Sequence, residues 1–337
     1  MTSSSSITDP AIYELQRPFA DWMLRAFRLG NTAVDIMFYD VGVLSTELIA
    51  NGETVVTDAS ANTASAPHPL KFLDLSALTN PSGSVIVVDA NLPPYVRPPF
   101  RDMKAFFAHA NGPEGAGLRT LAITGVGSSA FGSVAFAWDV STALGEPVAA
   151  IVPGYGLADV VPQALGGWFA FGAYDAMQTA TQNFLARVAP SLATVGRELA
   201  LSTPDRQPAS TGAPVFRHGS AASDDVHAIL KHVPGITRLV GHSKGALAIE
   251  NALRSLPQKR TQDLTVLTFG CVIAEEQVGT KYKQYLGWID PLGTLNSWGR
   301  VPESRPFAGH STNTLLPLSL AVAALMSEMA AGPETAS

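Results

Sequence analysis

Short apolar runs alternate with helical segments through much of the chain, and this alternation limits the possible folds more than any other feature of the sequence. Runs rich in aliphatic residues and bounded by turn residues occupy positions 84–88, 120–124, 147–152, 237–240 and 264–269. Segments with helical spacing include 134–144 and 245–256. A strand that is apolar along its whole length is covered on both faces. The alternation therefore predicts an α/β fold, with a mostly parallel central sheet and helices on both faces.

The composition indicates a large interior and a surface without a basic field. Of the 337 residues, 46% are hydrophobic and only 15% are charged. The 22 Lys and Arg against 28 Asp and Glu give a net charge of −6, which argues against binding to the phosphates of nucleic acid. The one cysteine, Cys271, excludes an intrachain disulfide and a cysteine-based zinc site. We expect no metal and no organic cofactor.

The ends of the chain carry no targeting or membrane-spanning pattern. The first residues are polar and lack the basic and apolar segments of a secretory signal, so we expect a cytoplasmic protein. The most apolar stretch, 315–326, contains Pro317 and is shorter than the ~20 residues that cross a bilayer, which predicts a buried terminal helix. Nothing in the sequence indicates an oligomeric state.

Changes of pattern divide the chain into four parts. Residues 1–80 are predicted to form an N-terminal helix and extension, and residues 81–156 the first part of the core. Between residues 154 and 218 the alternation lapses into an aromatic cluster and a segment rich in Pro, Ser and Thr, which predicts an inserted helical cap or lid over residues 157–235. Residues 236–337 are predicted to complete the core.

The N-terminal helix, predicted over residues 10–29, is amphipathic. Its polar face mixes Asp21, Arg25 and Arg28 and does not form the basic stripe of a membrane-surface helix. We therefore expect it to pack on the domain, with peripheral contact to an apolar surface as the alternative.

A nucleophile motif stands between a predicted strand and a predicted helix. The segment Gly241-His242-Ser243-Lys244-Gly245 fits G-x-S-x-G, which places a serine on a sharp strand-to-helix turn. Gly241 and Gly245 are the small residues that let strand and helix approach closely. The turn exposes the hydroxyl of Ser243 at a helix N-terminus, where negative charge is favoured. Ser243 is therefore the predicted nucleophile.

A serine nucleophile needs a base, and in this arrangement the chain order is serine, acid, histidine. Of the seven histidines only His310 follows the motif, so His310 is the predicted base. Asp290 is the predicted acid, because it ends a run at 285–289 that has the pattern of a strand and is followed by a turn. Its carboxylate would then lie at the carboxyl edge of the sheet, where catalytic groups gather. Glu275 and Glu276 are the alternative acids.

Two amides are needed to bind the oxyanion that such a serine generates. One is predicted to be that of Lys244, and the other that of Val126 or Gly127 in the glycine-rich loop after residues 120–124. The aromatic cluster of Trp168, Phe169, Phe171 and Tyr174 would either contact an apolar acyl group or polymer, or form core beneath a long loop. Tyr155 is a further candidate for contact with the substrate, together with Trp168, Phe169 and Phe171.

These residues resemble the α/β-hydrolase superfamily and, within it, the bacterial and fungal class 3 lipases. Residues 239–248 look like the nucleophile elbow of that family, and Ile289-Asp290-Pro291 is similar to its acid-bearing motif. The resemblance implies an α/β-hydrolase fold, with Ser243 as acyl-enzyme nucleophile, His310 as base and then acid, and Asp290 as the group that orients the imidazole. Lys244 stands where the family has an apolar residue.

Together these patterns predict a serine esterase that acts through an acyl-enzyme on carboxylic esters with an apolar acyl group, or on a polyester. Close alternatives on the same residues are a lipase, an intracellular polyester depolymerase, a thioesterase and an acyltransferase. A different alternative is a catalytically inactive hydrolase-fold protein that binds an apolar particle or partner.

Overall fold

The computed structural model describes residues 34–51, 84–100, 102–125, 128–153, 221–254, 256–274, 276–297 and 300–331. Their strands are β1 Val85–Val88, β2 Thr120–Ile123, β3 Val148–Ile151, β4 Arg238–His242, β5 Thr265–Phe269 and β6 Lys281–Tyr285. Their helices are α1 Val41–Ala50, α2 Met103–Asn111, α3 Ala130–Leu144, α4 Ala221–His232, α5 Lys244–Arg254, α6 Gln258–Thr261, α7 Pro291–Asn296 and α8 Val322–Ala331. The predicted helix at 10–29 lies outside the described residues.

The strands form one sheet in the order β1-β3-β2-β4-β5-β6. Strands β2 to β6 run parallel to one another, and β1 pairs antiparallel with β3 at the edge. All residues of β1, β2 and β3 are buried, as expected of strands covered on both faces. The predicted α/β class and the mostly parallel sheet are confirmed.

Helices cover both faces of this sheet. Along β2, Leu121 and Ile123 point into one apolar cluster while Ala122 points into the other, because successive side chains of a strand alternate between faces. Helices α2, α4 and α5 contribute buried residues to the cluster that holds Leu121, and α1, α3 and α8 to the cluster on the opposite face. The sheet therefore lies in the middle of a three-layer core.

The described part of the predicted insertion, residues 221–235, belongs to this core. Val226, Ile229 and Leu230 of α4 are fully buried against the face that also receives α5. The second part of the core thus reaches back at least to residue 221. The rest of the predicted cap, with Trp168, Phe169 and Phe171, lies outside the described residues.

Two elements near the end of the chain differ from their predictions. The strand predicted at 285–289 is wrong: β6 ends at Tyr285, opposite Phe269, because its partner strand leaves the sheet at Gly270 with a φ of 66°. The terminal helix predicted from residue 315 begins only at Val322. Pro317 disfavours helical backbone in the residue before it, and Leu318 has a φ of 62°.

The longest of the described helices, α3, has 15 residues. None of the helices in the described ranges combines the length and the apolar character needed to cross a membrane.

The sheet contains one point at which its connections diverge. Strand β2 lies between β3 and β4, and Ile123 pairs with Ile151 on one side and with Gly241 on the other. The loop after β2 leads to α3 on one face, whereas the turn after β4 leads to α5 on the other. A crevice opens at the carboxyl ends of such strands, and ligands bind there in open α/β sheets.

The ring of Phe136 on α3 tests the packing that supports this crevice. Phe136 is fully buried and contacts the rings of Tyr39, His242 and Phe269 edge-on or tilted at centroid distances of 6.0–6.5 Å. We expect Phe136→Ala to lower the free energy of unfolding by about 3–5 kcal/mol, because it leaves a cavity that the core fills poorly. Urea denaturation measures the change. Ile49→Ala, at a side chain that is 62% exposed on α1, is the control and should change the free energy by less than about 0.5 kcal/mol.

Candidate active site

Ser243 lies on the turn between β4, which ends at His242, and α5, which begins at Lys244. Its φ is 53°, a strained value for a residue with a side chain. A side chain at Gly245 would overlap the carbonyl oxygens of Ile123 and Thr124. At Gly241 a Cβ atom would lie 2.8 Å from the amide nitrogen of Ala246. Both glycines therefore allow α5 to approach the strands, and the predicted strand-turn-helix context of the serine is present.

Three predicted side chains meet at this turn. The Oγ atom of Ser243 lies 2.9 Å from Nε2 of His310, although the two residues are 67 positions apart. On the other side of the ring, Nδ1 of His310 lies 2.8 Å from Oδ2 of Asp290. When Nδ1–H of His310 donates its hydrogen bond to the carboxylate, the lone pair on Nε2 faces the serine hydroxyl. This is the geometry of a serine, a base and an orienting acid.

Asp290 is placed by the helix that follows it. Its carboxylate is 1% exposed, and Oδ1 accepts a hydrogen bond of 2.6 Å from the amide of Gly293 in the first turn of α7. Its other oxygen is left for His310. Of the alternative acids, Glu276 instead accepts a hydrogen bond from Gln284 at an exposed position, and Glu275 lies outside the described residues.

The loop that carries His310 is held by a segment to which the sequence assigned no role. The hydroxyl of Ser311 donates to the carbonyl oxygen of Met37 at 2.7 Å, and the amide of Thr312 donates to the carbonyl oxygen of Phe38 at 2.9 Å. The ring of Phe38 meets the His310 ring edge-on at a centroid distance of 5.6 Å. Residues 36–40 therefore form a wall of the site. The only sequence sign is the polar set Asp35, Tyr39 and Asp40 in an apolar stretch.

His242, predicted only as part of the motif, has a buried imidazole that is 1% exposed. Its Nε2 atom lies 2.9 Å from the carbonyl oxygen of His310, and its Nδ1 atom lies 2.9 Å from the hydroxyl of Tyr39. That hydroxyl also accepts a hydrogen bond of 2.9 Å from the amide of Gly125. Burial, together with the nearby imidazole of His310, lowers the pKa of His242 to about 3. The ring is therefore neutral at physiological pH.

Of the predicted oxyanion donors, only Lys244 lies within the described residues. Lys244 is the first residue of α5, directly after the serine, and the positive end of the helix dipole lies there. Val126 and Gly127 lie outside the described residues, whereas Gly125, which precedes them, is described. A Cβ atom built on Gly125 would lie 3.7 Å from Oγ of Ser243. The start of the loop after β2 and Ser243, the predicted nucleophile, are therefore neighbours across the crevice.

Large apolar side chains are exposed on the loops that carry Asp290 and His310 and on the segment of Met37 that braces the second of these loops. We call this set the apolar rim: Ile36, Met37, Trp288, Ile289, Phe307, Leu315, Leu316 and Leu318. The most exposed of them is Phe307, at 70%. The amide of Ile289 donates to the carbonyl of Ala308, which joins the loop of Asp290 to that of His310, and the amide of Gly309 donates to the carbonyl of Leu318 within the loop of His310. The other predicted contact residue, Tyr155, lies outside the described residues.

Comparisons with known proteins assign no family to this arrangement. No protein-family model matches the chain, and searches of curated proteins and of solved structures found no significant match. Within the described residues, no cluster of three or more His, Cys, Asp or Glu side chains could hold a metal ion. The fold and site therefore define the protein only as an α/β protein with a hydrogen-bonded serine, histidine and aspartate at the carboxyl edge of its sheet.

The side chain of Lys244 allows a test of stability that leaves the backbone amide in place. It is 5% exposed, and burial lowers its pKa from 10.5 to about 8. Keeping the ammonium in the folded protein costs about 3 kcal/mol at pH 7, and this cost disappears as the pH rises from 8 to 10.5, where the unfolded chain holds more protons. We expect Lys244→Met to raise the free energy of unfolding by about 1–3 kcal/mol at pH 7 and by less at pH 10.

Urea denaturation at both pH values measures this difference. Lys281→Met, at an exposed lysine of β6, is the control and should change the free energy by less than about 0.5 kcal/mol at either pH. A loss of stability in Lys244→Met at pH 7 would contradict the expectation.

Proposed function

We propose that this chain is a serine carboxylic ester hydrolase that acts through an acyl-enzyme on Ser243. The observation that carries the proposal is the pair of hydrogen bonds, of 2.9 and 2.8 Å, that joins Ser243 to His310 and His310 to Asp290. The strained φ at Ser243 supports it, because strain at a residue fixed by its surroundings is a feature of active sites. A turn with a purely structural role needs neither a histidine nor a buried acid beside its hydroxyl.

The first half of the reaction forms the acyl-enzyme. As Oγ of Ser243 attacks the ester carbonyl carbon, Nε2 of His310 takes the hydroxyl proton, and the carboxylate of Asp290 stabilises the imidazolium at Nδ1. The tetrahedral intermediate then collapses with cleavage of the carbon–oxygen bond to the alcohol. The alcohol departs with the proton that His310 held, and the acyl group stays on the serine.

The second half returns the enzyme to its starting state. Water attacks the acyl carbonyl carbon while His310 accepts one of its protons. Collapse of the second intermediate releases the carboxylic acid, and the proton on His310 returns to Ser243. No other group needs to donate or accept a proton.

The oxyanion of each intermediate is assigned to two backbone amides. The amide of Lys244 follows the nucleophile at the start of α5, where the helix dipole favours negative charge. The second amide is that of Val126 or Gly127. The position of Gly125, across the crevice from Ser243, supports this assignment because it brings the loop after β2 to the same place.

The α/β-hydrolase fold is part of the proposal. The mostly parallel sheet, the elbow after β4 and the chain order of serine, acid and histidine support it. The apolar rim supports an ester with an apolar acyl group, or a polyester, because large apolar side chains exposed together beside a site can contact an apolar substrate. The cap over residues 157–220 and the cytoplasmic location stay predictions.

Labelling with a fluorophosphonate tests the acyl-enzyme, because the probe reacts with a serine only when a base activates it. We expect the folded protein to take up one probe on Ser243 and Ser243→Ala to take up none. Asp290→Asn should lower the rate about 10³–10⁴-fold, since the imidazole then loses its tautomer and orientation. Mass spectrometry of the labelled peptide gives the site and the rate.

Glu276→Gln is the matched control, because this acid lies on the neighbouring loop and bonds only to Gln284 in the structure as described. Its labelling rate should equal that of the unaltered protein. Failure of the unaltered protein to react would sink the hydrolase proposal and favour the binding-protein alternative. Unchanged labelling in His310→Ala would remove the proposed base.

The apolar rim makes a separate prediction about the acyl group. We expect the ratio kcat/KM for nitrophenyl esters to rise from acetate to octanoate, and Phe307→Ser to lower it about 5–10-fold for octanoate but not for acetate, because about 1 kcal/mol of apolar contact is lost. Val278→Ser is the control, since Val278 is 75% exposed and lies before the start of β6, at the amino ends of the strands and away from Ser243. Activity that falls beyond butyrate in the unaltered protein would contradict an apolar acyl substrate.

A further inference from the structure

The proposed reaction leaves one buried pair of polar side chains without a task. His242 and Tyr39 lie directly beneath the nucleophile, are 1% and 2% exposed, and come from distant parts of the chain. Their rings meet edge-on at a centroid distance of 5.3 Å. Burying an imidazole and a phenol hydroxyl is costly unless each polar atom makes a hydrogen bond. Here the hydroxyl of Tyr39 and both ring nitrogens of His242 make hydrogen bonds, and these reach Gly125 and His310 of the site.

The directions of these hydrogen bonds follow from their end points. The carbonyl oxygen of His310 can only accept, so Nε2 of His242, at 2.9 Å, must carry the proton. In a neutral ring Nδ1 is then an acceptor, and the hydroxyl of Tyr39, at 2.9 Å, must donate to it. The phenol oxygen in turn accepts from an amide that can only donate, that of Gly125.

The row therefore runs in one direction. It begins at the amide of Gly125, passes through Tyr39 and His242, and ends at the carbonyl of His310. The lowered pKa of His242 agrees with this order, because a protonated ring would have no acceptor for the phenol. Phe136 packs against both rings, which fixes their planes.

We propose that Tyr39 and His242 are positioning residues for the reaction at Ser243. Through the row of hydrogen bonds they hold the backbone of the base at a set distance from the loop that carries the second oxyanion donor. One of these loops follows β2 and the other carries His310, and the row of hydrogen bonds connects Gly125 of the first to the carbonyl of His310 in the second. The inference rests on the proposed function, since it assigns both loops their parts in that reaction.

A small displacement of either end would matter. The His310 ring must meet Ser243 on one side and Asp290 on the other, at 2.9 and 2.8 Å, so a shift of its backbone weakens both contacts. A shift of Gly125 displaces the start of the loop to which the proposed function assigns the second oxyanion donor. Misplacement of reacting groups lowers the rate of the chemical step more than it lowers substrate binding.

Nuclear magnetic resonance tests the order of the protons without any need for activity. In protein labelled with ¹⁵N at histidine, we expect His242 to be the neutral Nε2–H tautomer at pH 7. In Tyr39→Phe the ¹⁵N signal of its Nδ1 atom should move, because the phenol proton is gone, and the Nδ1–H signal of His310 should move with it. Detection of the Nδ1–H tautomer at His242, or an unchanged His310 signal, would overturn the inference.

Rates of labelling and of ester hydrolysis test whether loss of the Tyr39 hydroxyl slows the reaction at Ser243. We expect Tyr39→Phe to slow fluorophosphonate labelling about 10-fold and to lower kcat for nitrophenyl butyrate equally, with KM changed less than 2-fold. Tyr95→Phe is the matched control, because the hydroxyl of Tyr95 is bonded at 3.3 Å to Asn51 on the surface. Equal rates in the two variants would contradict a positioning role.

A second pair of variants guards against loss of the fold. His242→Gln keeps an amide that can donate to the carbonyl of His310 and should retain more labelling activity than His242→Leu, which has a similar volume and no donor. Equal rates in these two would also overturn the inference. If the unaltered protein does not react with the probe, the proposed function fails and the positioning role fails with it, whereas the tautomer of His242 and the signal of His310 still decide whether the row of hydrogen bonds is present.

Discussion

The site depends on the close approach of helix α5 to the end of strand β2. Gly245 lies against the carbonyl oxygens of Ile123 and Thr124, and no side chain fits between them. This contact places the turn that carries Ser243 beside the loop after β2, at the point where the connections of the sheet diverge to opposite faces. The strained φ of the serine is maintained because the strand on one side and the helix on the other are both buried.

Around this contact, elements far apart in sequence are held by hydrogen bonds between loops. Asp290 is fixed by the first turn of α7, and the loop of His310 is fixed by the carbonyls of Met37 and Phe38. The same segment supports the opposite side of the crevice, where Asp35 accepts a hydrogen bond of 2.8 Å from the amide of Ser129 at the start of α3. One short segment thus braces the loop that carries His310 and the loop after β2.

The electrostatic character of the site comes from burial. Loss of water lowers the pKa of His242 to about 3 and raises that of Asp35 to about 7, while Lys244 beside the nucleophile keeps its charge less readily than a lysine in water. The carbonyl of His310 can only accept, so in the neutral ring of His242 the Nε2 atom carries the proton and Nδ1 accepts. A charged ring at that place would repel the imidazolium that His310 becomes during the proposed reaction.

The sequence by itself determined the parts of the site that have local signals. The elbow at Ser243 follows from a strand, two glycines and a helix within a short stretch, and His310 from being the only histidine after it. Only the tertiary structure decided that Asp290 and not Glu276 meets His310, that β6 ends at Tyr285, and that Tyr39 lies beneath the nucleophile. The reason is physical: hydrophobic periodicity reports which side of an element faces the core, whereas pairing partners and loop contacts depend on residues elsewhere in the chain, 20 positions apart for Asp290 and His310 and 203 for Tyr39 and His242.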